Sequence, residues 1–173
     1  MNKCAAICQL LIYIQREKGY IKVTLTAKEH DILTDLKTQE QLCIIKYTKY
    51  ESEAHDPALK DIFSSIKSTE SEHLATIERI IRGEEVTMNT PGKSAAEEKF
   101  QGQCYHGTDE EKQADAYLCR DALSMEKHVS SVYNTGLFEF NSPVLRDTLN
   151  HIQREEQNHG EKLYSYMSAC SMY

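Results

Sequence analysis

Six residues of this chain could act together on metal ions: Glu40, Glu70, His73, Glu126, Glu156 and His159. They fall into two sets of the same form. In each, a lone glutamate stands 30 residues before a Glu-x-x-His motif: Glu40 before Glu70-Ser-Glu-His73, and Glu126 before Glu156-Gln-Asn-His159. The sets lie 86 residues apart (126 − 40). Four carboxylates and two imidazoles in this order are what a dinuclear metal site in a four-helix bundle requires. One Glu-x-x-His arises readily by chance in a Glu-rich chain; two, each with an equally spaced partner, do not. The donors suit iron or manganese, since hard carboxylate oxygens dominate and no thiolate is included. We expect Glu70 and Glu156 to bridge two ions, with Glu40 and His73 completing one and Glu126 and His159 the other. Such a pair can simply hold metal, or cycle between divalent and trivalent states while reducing dioxygen or peroxide. The competing readings are surface carboxylates with solvated histidines, and an inherited site that no longer works.

Positioning these residues requires helices. Asp35–His73 overlays Asp121–His159 without gaps, with identities at Asp35/Asp121, Tyr47/Tyr133, Glu53/Glu139, Pro57/Pro143, Leu59/Leu145 and Asp61/Asp147 as well as the motif residues. The chain therefore reads as a duplicated helical hairpin. Thr26-Ala-Lys-Glu29 and Thr108-Asp-Glu-Glu111 are capping boxes that start the first helix of each unit. Asp56-Pro57 and Ser142-Pro143 place an N-cap ahead of proline at the first helical position and start the second. Gly83 after Arg82 is a C-terminal stop.

Apolar positions advance in steps of three and four along each helix. The four stripes are Leu33, Leu36, Glu40, Cys43, Tyr47, Tyr50; Leu59, Phe63, Ile66, Glu70, His73, Ile77, Ile80; Cys119, Ala122, Glu126, Val129, Tyr133, Phe140; and Leu145, Leu149, Ile152, Glu156, His159, Leu163, Tyr166. All six candidate residues occupy slots where an aliphatic side chain belongs. A buried carboxylate must be paired, protonated or metal-bound. The turns fall near residues 55 and 141, so each of the four glutamates lies about 22 Å from its turn at 1.5 Å per residue. The spacing predicts one level, compact site.

Composition sets the remaining bounds. A chain of 173 residues with 40% hydrophobic and 27% charged residues reads as an ordinary globular protein with one sizeable core. A formal charge of −7 without a basic stripe argues against nucleic acid. Seven glycines and three prolines, placed at helix ends, make the fold all-α. None of the six cysteines forms a C-x-x-C pair, which excludes a zinc ribbon or rubredoxin-type site. Cys43 and Cys119 read as buried thiols, while Cys104 and Cys170 sit where cross-linking is open to them.

Residues 24–83 and 108–168 are the two hairpins, 84–107 a long crossover and 169–173 a tail. The apolar run from Cys4 to Ile14 is too short to span a bilayer and has no small-x-small cleavage site. Residues 1–23 read as an N-terminal extension. Because Lys18-Gly19 can be encoded by a ribosome-binding sequence and Val23 by a GTG start, residues 1–22 are open to a second reading, as mis-annotated upstream sequence. Around the site, His128 and His151 read as exposed, and Glu72 and Glu155 as facing solvent or bonding groups around the site. Glu53 and Glu139 read as structural. Tyr47 and Tyr133, seven residues after each lone glutamate, read chiefly as core with a satisfied hydroxyl.

The segments Ala116-Tyr-Leu-Cys-Arg-Asp-Ala-Leu-Ser-Met-Glu-Lys-His-Val-Ser-Ser-Val-Tyr-Asn-Thr-Gly and Leu149-Asn-His-Ile-Gln-Arg-Glu-Glu-Gln-Asn-His-Gly-Glu-Lys-Leu-Tyr-Ser-Tyr-Met resemble the Coat F family of bacterial spore coat proteins. The opening from Leu25 and the terminal Met172-Tyr173 fit that family too. The resemblance spans about residues 24–173 and is more general in the first half. It implies a ferritin-like four-helix bundle of two repeated hairpins. It also implies synthesis in the mother-cell cytoplasm, placement in the spore coat, and partners among other coat proteins, with a homo-oligomer compatible and no nucleic acid or membrane involved. Tyr164, Tyr166, Cys170 and Tyr173 would suit the cross-linking common in coat proteins. Many members of the family have incomplete ligand sets, whereas this chain keeps all six, which questions a purely structural role. The alternative is a di-metal oxidoreductase removing peroxide. Its likeness to rubrerythrins and manganese catalases rests on the paired Glu-x-x-His pattern alone.

Overall fold

The computed structural model describes residues 24–84 and 100–173. The N-terminal extension and most of the crossover lie outside these residues. Four helices follow: α1 (Ala27–Glu53), α2 (Pro57–Ile81), α3 (Asp109–Leu137) and α4 (Pro143–Ala169). Helix α1 packs chiefly on α2 and α3 on α4, and the two hairpins meet through α1 against α3 and α2 against α4. The fold is an all-α, ferritin-like four-helix bundle. Among the described residues no helix is long and apolar enough to cross a membrane.

Each helix starts where its local chemistry directs. Thr26 and Thr108 close complete capping boxes with Glu29 and Glu111, and Asp56 and Ser142 cap helices that open on proline. Helix α2 ends in a Schellman turn, with Gly83 at φ 68°, its N–H on Ile80 and that of Glu84 on Arg79. Helix α4 ends the same way with Ser171 in the glycine slot at φ 56°. The expected stripes form the core. Every stripe position of α1, α2 and α4 is buried, while α3 buries a broader face that adds Ala116, Leu118, Leu123 and Met125. At about 25 cal/mol per Å² of apolar surface removed from water, this interior is the main stabilising term.

Two buried carboxylates outside the six lock the hairpins together. Glu29, besides its capping role, accepts the Asn141 N–H at 2.9 Å. Asp115 accepts the N–H groups of His55 and Asp56 at 2.8 and 2.9 Å. Positions 29 and 115 differ by 86, as do 55 and 141. Each hairpin thus uses the same helix position to hold the other hairpin's turn.

Cys104 and Cys170 form a disulfide between the end of the crossover and the C-cap of α4, and Cys43 and Cys119 are buried free thiols. The bridge closes a loop with a sequence separation of 66 residues. Cys170→Ser is expected to lower the unfolding free energy by about 2–4 kcal/mol, read as a lower urea midpoint than that of unreduced wild type. Tyr166 is also withdrawn from the surface: it is fully buried and donates to Asp56 at 2.7 Å. Tyr164 and Tyr173 remain exposed, their rings 4.9 Å apart edge to face.

Candidate metal centre

The structure brings all six sequence-predicted residues together in the bundle interior, none more than 3% exposed. Helix α1 supplies Glu40, α2 Glu70 and His73, α3 Glu126, and α4 Glu156 and His159. They form two overlapping groups, Glu40–Glu70–His73–Glu156 and Glu70–Glu126–Glu156–His159, in each of which one ligand atom per residue lies within 4.8 Å of the others. Glu70 and Glu156 belong to both. The Nδ1 of His73 lies 3.0 Å from Glu156, 3.3 Å from Glu70 and 3.6 Å from Glu40. The Nδ1 of His159 lies 3.2 Å from Glu70 and 3.5 Å from Glu126. The two imidazole rings stack with centroids 5.9 Å apart.

The lone glutamates are gripped from the opposite hairpin. Tyr47 on α1 donates to Oε1 of Glu126 on α3, and Tyr133 on α3 donates to Oε1 of Glu40 on α1. Both tyrosines are wholly buried, so burial first, then the facing carboxylates, keeps their hydroxyls protonated and donating. Each grip fixes one carboxylate oxygen and leaves its mate, Oε2, turned inward without a hydrogen bond. The sequence placed both tyrosines in the core with satisfied hydroxyls but not across the hairpin interface.

Protons compensate for the packed charge. Burial, with help from the charge on Glu70, lifts Glu40 to about 7 despite the His73 imidazole 3.6 Å away. Burial also raises Glu156 well above the carboxylate range, with the charges of Glu70, Glu126 and Glu40 adding to it. Burial would raise Glu70 too, but the imidazoles of His159 and His73 beside it, at 3.2 and 3.3 Å, hold it at about 2. For His159, burial opposes the charged form, yet Glu126 and Glu70 prevail and take it to about 10. His73 is likewise raised well above the usual imidazole range, with Glu155, Glu156, Glu40 and Glu70 overcoming its burial. Cys43, buried beside these carboxylates, is pushed far above the usual thiol range and stays protonated.

The donor set fits a pair of divalent cations. Among the described residues, every buried side-chain polar atom without a hydrogen-bond partner belongs to this cluster: one oxygen each of Glu40, Glu70 and Glu126, both of Glu156, and Nδ1 of His159. Leaving such atoms unsatisfied costs about 1–3 kcal/mol each, and a cation satisfies them all. Four carboxylate charges balance two divalent ions with neutral imidazoles.

Of the neighbouring residues, Glu72 and His128 are exposed. Glu155 is half-buried and accepts from Nε2 of His73 at 2.9 Å, and exposed His151 lies 3.5 Å from the same Glu155 oxygen. Glu53 and Glu139 are surface residues paired with Lys49 and Lys28.

Fold and site together define the class: a ferritin-like bundle with a paired carboxylate–histidine cluster on its axis, consistent with a carboxylate-bridged dinuclear centre. A family model described as the Coat F domain matches residues 114–173 of the chain. The match takes in most of α3, all of α4 and the C-terminus, and with them Glu126, Glu156 and His159. No curated protein and no solved structure matches the chain.

Proposed function

We propose that this chain is a spore coat protein whose bundle holds two iron or manganese ions. The carrying observation is the pair of overlapping groups that share Glu70 and Glu156 and contain every unsatisfied buried side-chain polar atom among the described residues. In this reading Glu70 and Glu156 bridge, Glu40 with His73 holds one ion, and Glu126 with His159 holds the other. Bound there, iron or manganese would supply one-electron redox chemistry toward peroxide or dioxygen. The chain's own part is to exclude water from the six residues, orient Glu126 and Glu40 through Tyr47 and Tyr133, and present Nδ1 of each histidine inward. The Coat F match supports placement in the spore coat; synthesis in the mother cell and partners among other coat proteins belong to the same proposal. Tyr164 at the end of α4 and Tyr173 in the tail are the exposed tyrosines that cross-linking would use.

The second reading is a di-metal oxidoreductase that removes peroxide, supported by the retention of all six residues in fully buried positions. Metal analysis of protein expressed from residue 24, in medium containing both iron and manganese, tests the centre. The expected result is about two ions per chain, lost in Glu70→Ala. Helical protein without metal would reduce the cluster to a relic. Peroxide turnover that disappears in Glu70→Ala would favour the enzyme.

A further inference from the structure

The two halves of the cluster are built to one plan but finished differently. On the His73 side, Glu155 of α4 reaches across to α2 and accepts from Nε2 at 2.9 Å. On the His159 side, the position equivalent to Glu155 (155 − 86) is Thr69, and the position equivalent to His151 is Ser65. The Thr69 hydroxyl turns back to the Ser65 carbonyl at 3.4 Å. Among the described residues, every ion pair of His159 runs through Nδ1, and none engages Nε2.

This difference has a chemical meaning. Both histidines face the carboxylate cluster with Nδ1, so binding a cation there needs the tautomer that carries its proton on Nε2. An anionic acceptor on Nε2 holds that tautomer, fixes the ring and raises the basicity of Nδ1. Among the described residues, His73 has such an acceptor and His159 has none. Resting on the dinuclear reading above, we propose that Glu155 is a positioning residue that makes the two metal positions inequivalent. The His73 position binds a divalent cation more tightly and fills first.

Cobalt(II) is the probe, followed by calorimetry and by its visible ligand-field bands. Because the two positions share Glu70 and Glu156, each is read alone, in His159→Ala and in His73→Ala. The His159→Ala protein is expected to bind one ion about 10–100-fold more tightly than the His73→Ala protein. Adding Glu155→Ala to His159→Ala removes that advantage. Adding Thr69→Glu to His73→Ala supplies the missing acceptor and tightens binding by a similar factor. Circular dichroism of each variant establishes that the bundle is retained, and the band positions report the ligand field directly.

Equal affinities in the two single-histidine variants would overturn the inference and leave the dinuclear centre standing. A difference that survives Glu155→Ala would overturn the role of Glu155. Wild-type protein that takes up no cobalt would overturn the metal reading and this inference with it.

Discussion

Manganese(II) in excess should raise the unfolding midpoint of chelator-treated protein by about 10–20 °C at pH 7.5. Each ion present at about 100 times its dissociation constant adds about 2.7 kcal/mol to the folded state. Two ions add about 5 kcal/mol, and a domain of this size shifts by about 2–4 °C per kcal/mol. The effect is large because the six residues come from all four helices, so unfolding must release both ions.

The pH dependence should have opposite sign with and without metal. In the chelated protein, His159 is raised from 6.5 to about 10. Its contribution is complete below pH 6.5 and is lost as pH rises through 10. Glu40, raised from 4.5 to about 7, loses its contribution between those values. Glu70, lowered to about 2, contributes above pH 4.5 and loses this only as pH falls through 2. Chelated protein therefore weakens from about pH 4.5 towards 10. Metal binding must displace the same protons, so its stabilisation grows as pH rises from about 5 to 8. Thermal melts at four pH values in that range, in EDTA or in manganese(II), measure both trends. Identical melts under the two conditions would remove the centre.

Glu156→Leu should separate stability from metal binding. Glu156 sits on the α4 stripe between Ile152 and Leu163, and both its oxygens lack hydrogen-bond partners. Burial pushes its carboxyl well above the usual range in the absence of metal, so leucine would replace an unsatisfied group of similar volume whose charged form is disfavoured. In chelator the variant should be more stable than wild type by about 1–3 kcal/mol. It should hold little metal and show no rise in midpoint with manganese(II). Urea titrations in EDTA, with metal analysis of the same samples, decide it. A variant that binds two ions, or is strongly destabilised in chelator, would contradict the assignment of Glu156 as a bridge.

Much of this was legible in the sequence because helical period and repeat constrain the same residues. Glu40, Glu70, Glu126 and Glu156 each interrupt an apolar stripe, and the distance to each turn sets them level. Caps at Thr26, Asp56, Thr108 and Ser142 are local signals, so the helix starts could be read directly. What escaped was the chemistry between hairpins. Periodicity tells which face a residue occupies, not which atom it meets across an interface. Hence Tyr47 and Tyr133 were placed correctly without their partners Glu126 and Glu40. Glu29 and Asp115 lie six residues upstream of the overlaid segment and differ in identity, so the repeat did not flag them. Glu155 was read as facing solvent or bonding a group around the site, without its partner His73. Cys170 looked available because a tail gives no sign of the Cys104 sulfur that engages it, and Tyr166, already on the buried stripe of α4, gave no sign of its Asp56 partner.

The reciprocal bonds between hairpins carry an evolutionary consequence. Tyr47 to Glu126 and Tyr133 to Glu40 are one contact made twice, as are Glu29 to residue 141 and Asp115 to residue 55. Two copies of a single ancestral hairpin, meeting about a twofold axis, would make these contacts automatically. In such a homodimer every substitution lands on both halves at once. Joining the copies into one polypeptide lifts that restriction. A glutamate can then arise beside one histidine while a threonine stays beside the other, and a symmetric ancestor's descendants gain two places for metal that need not behave alike.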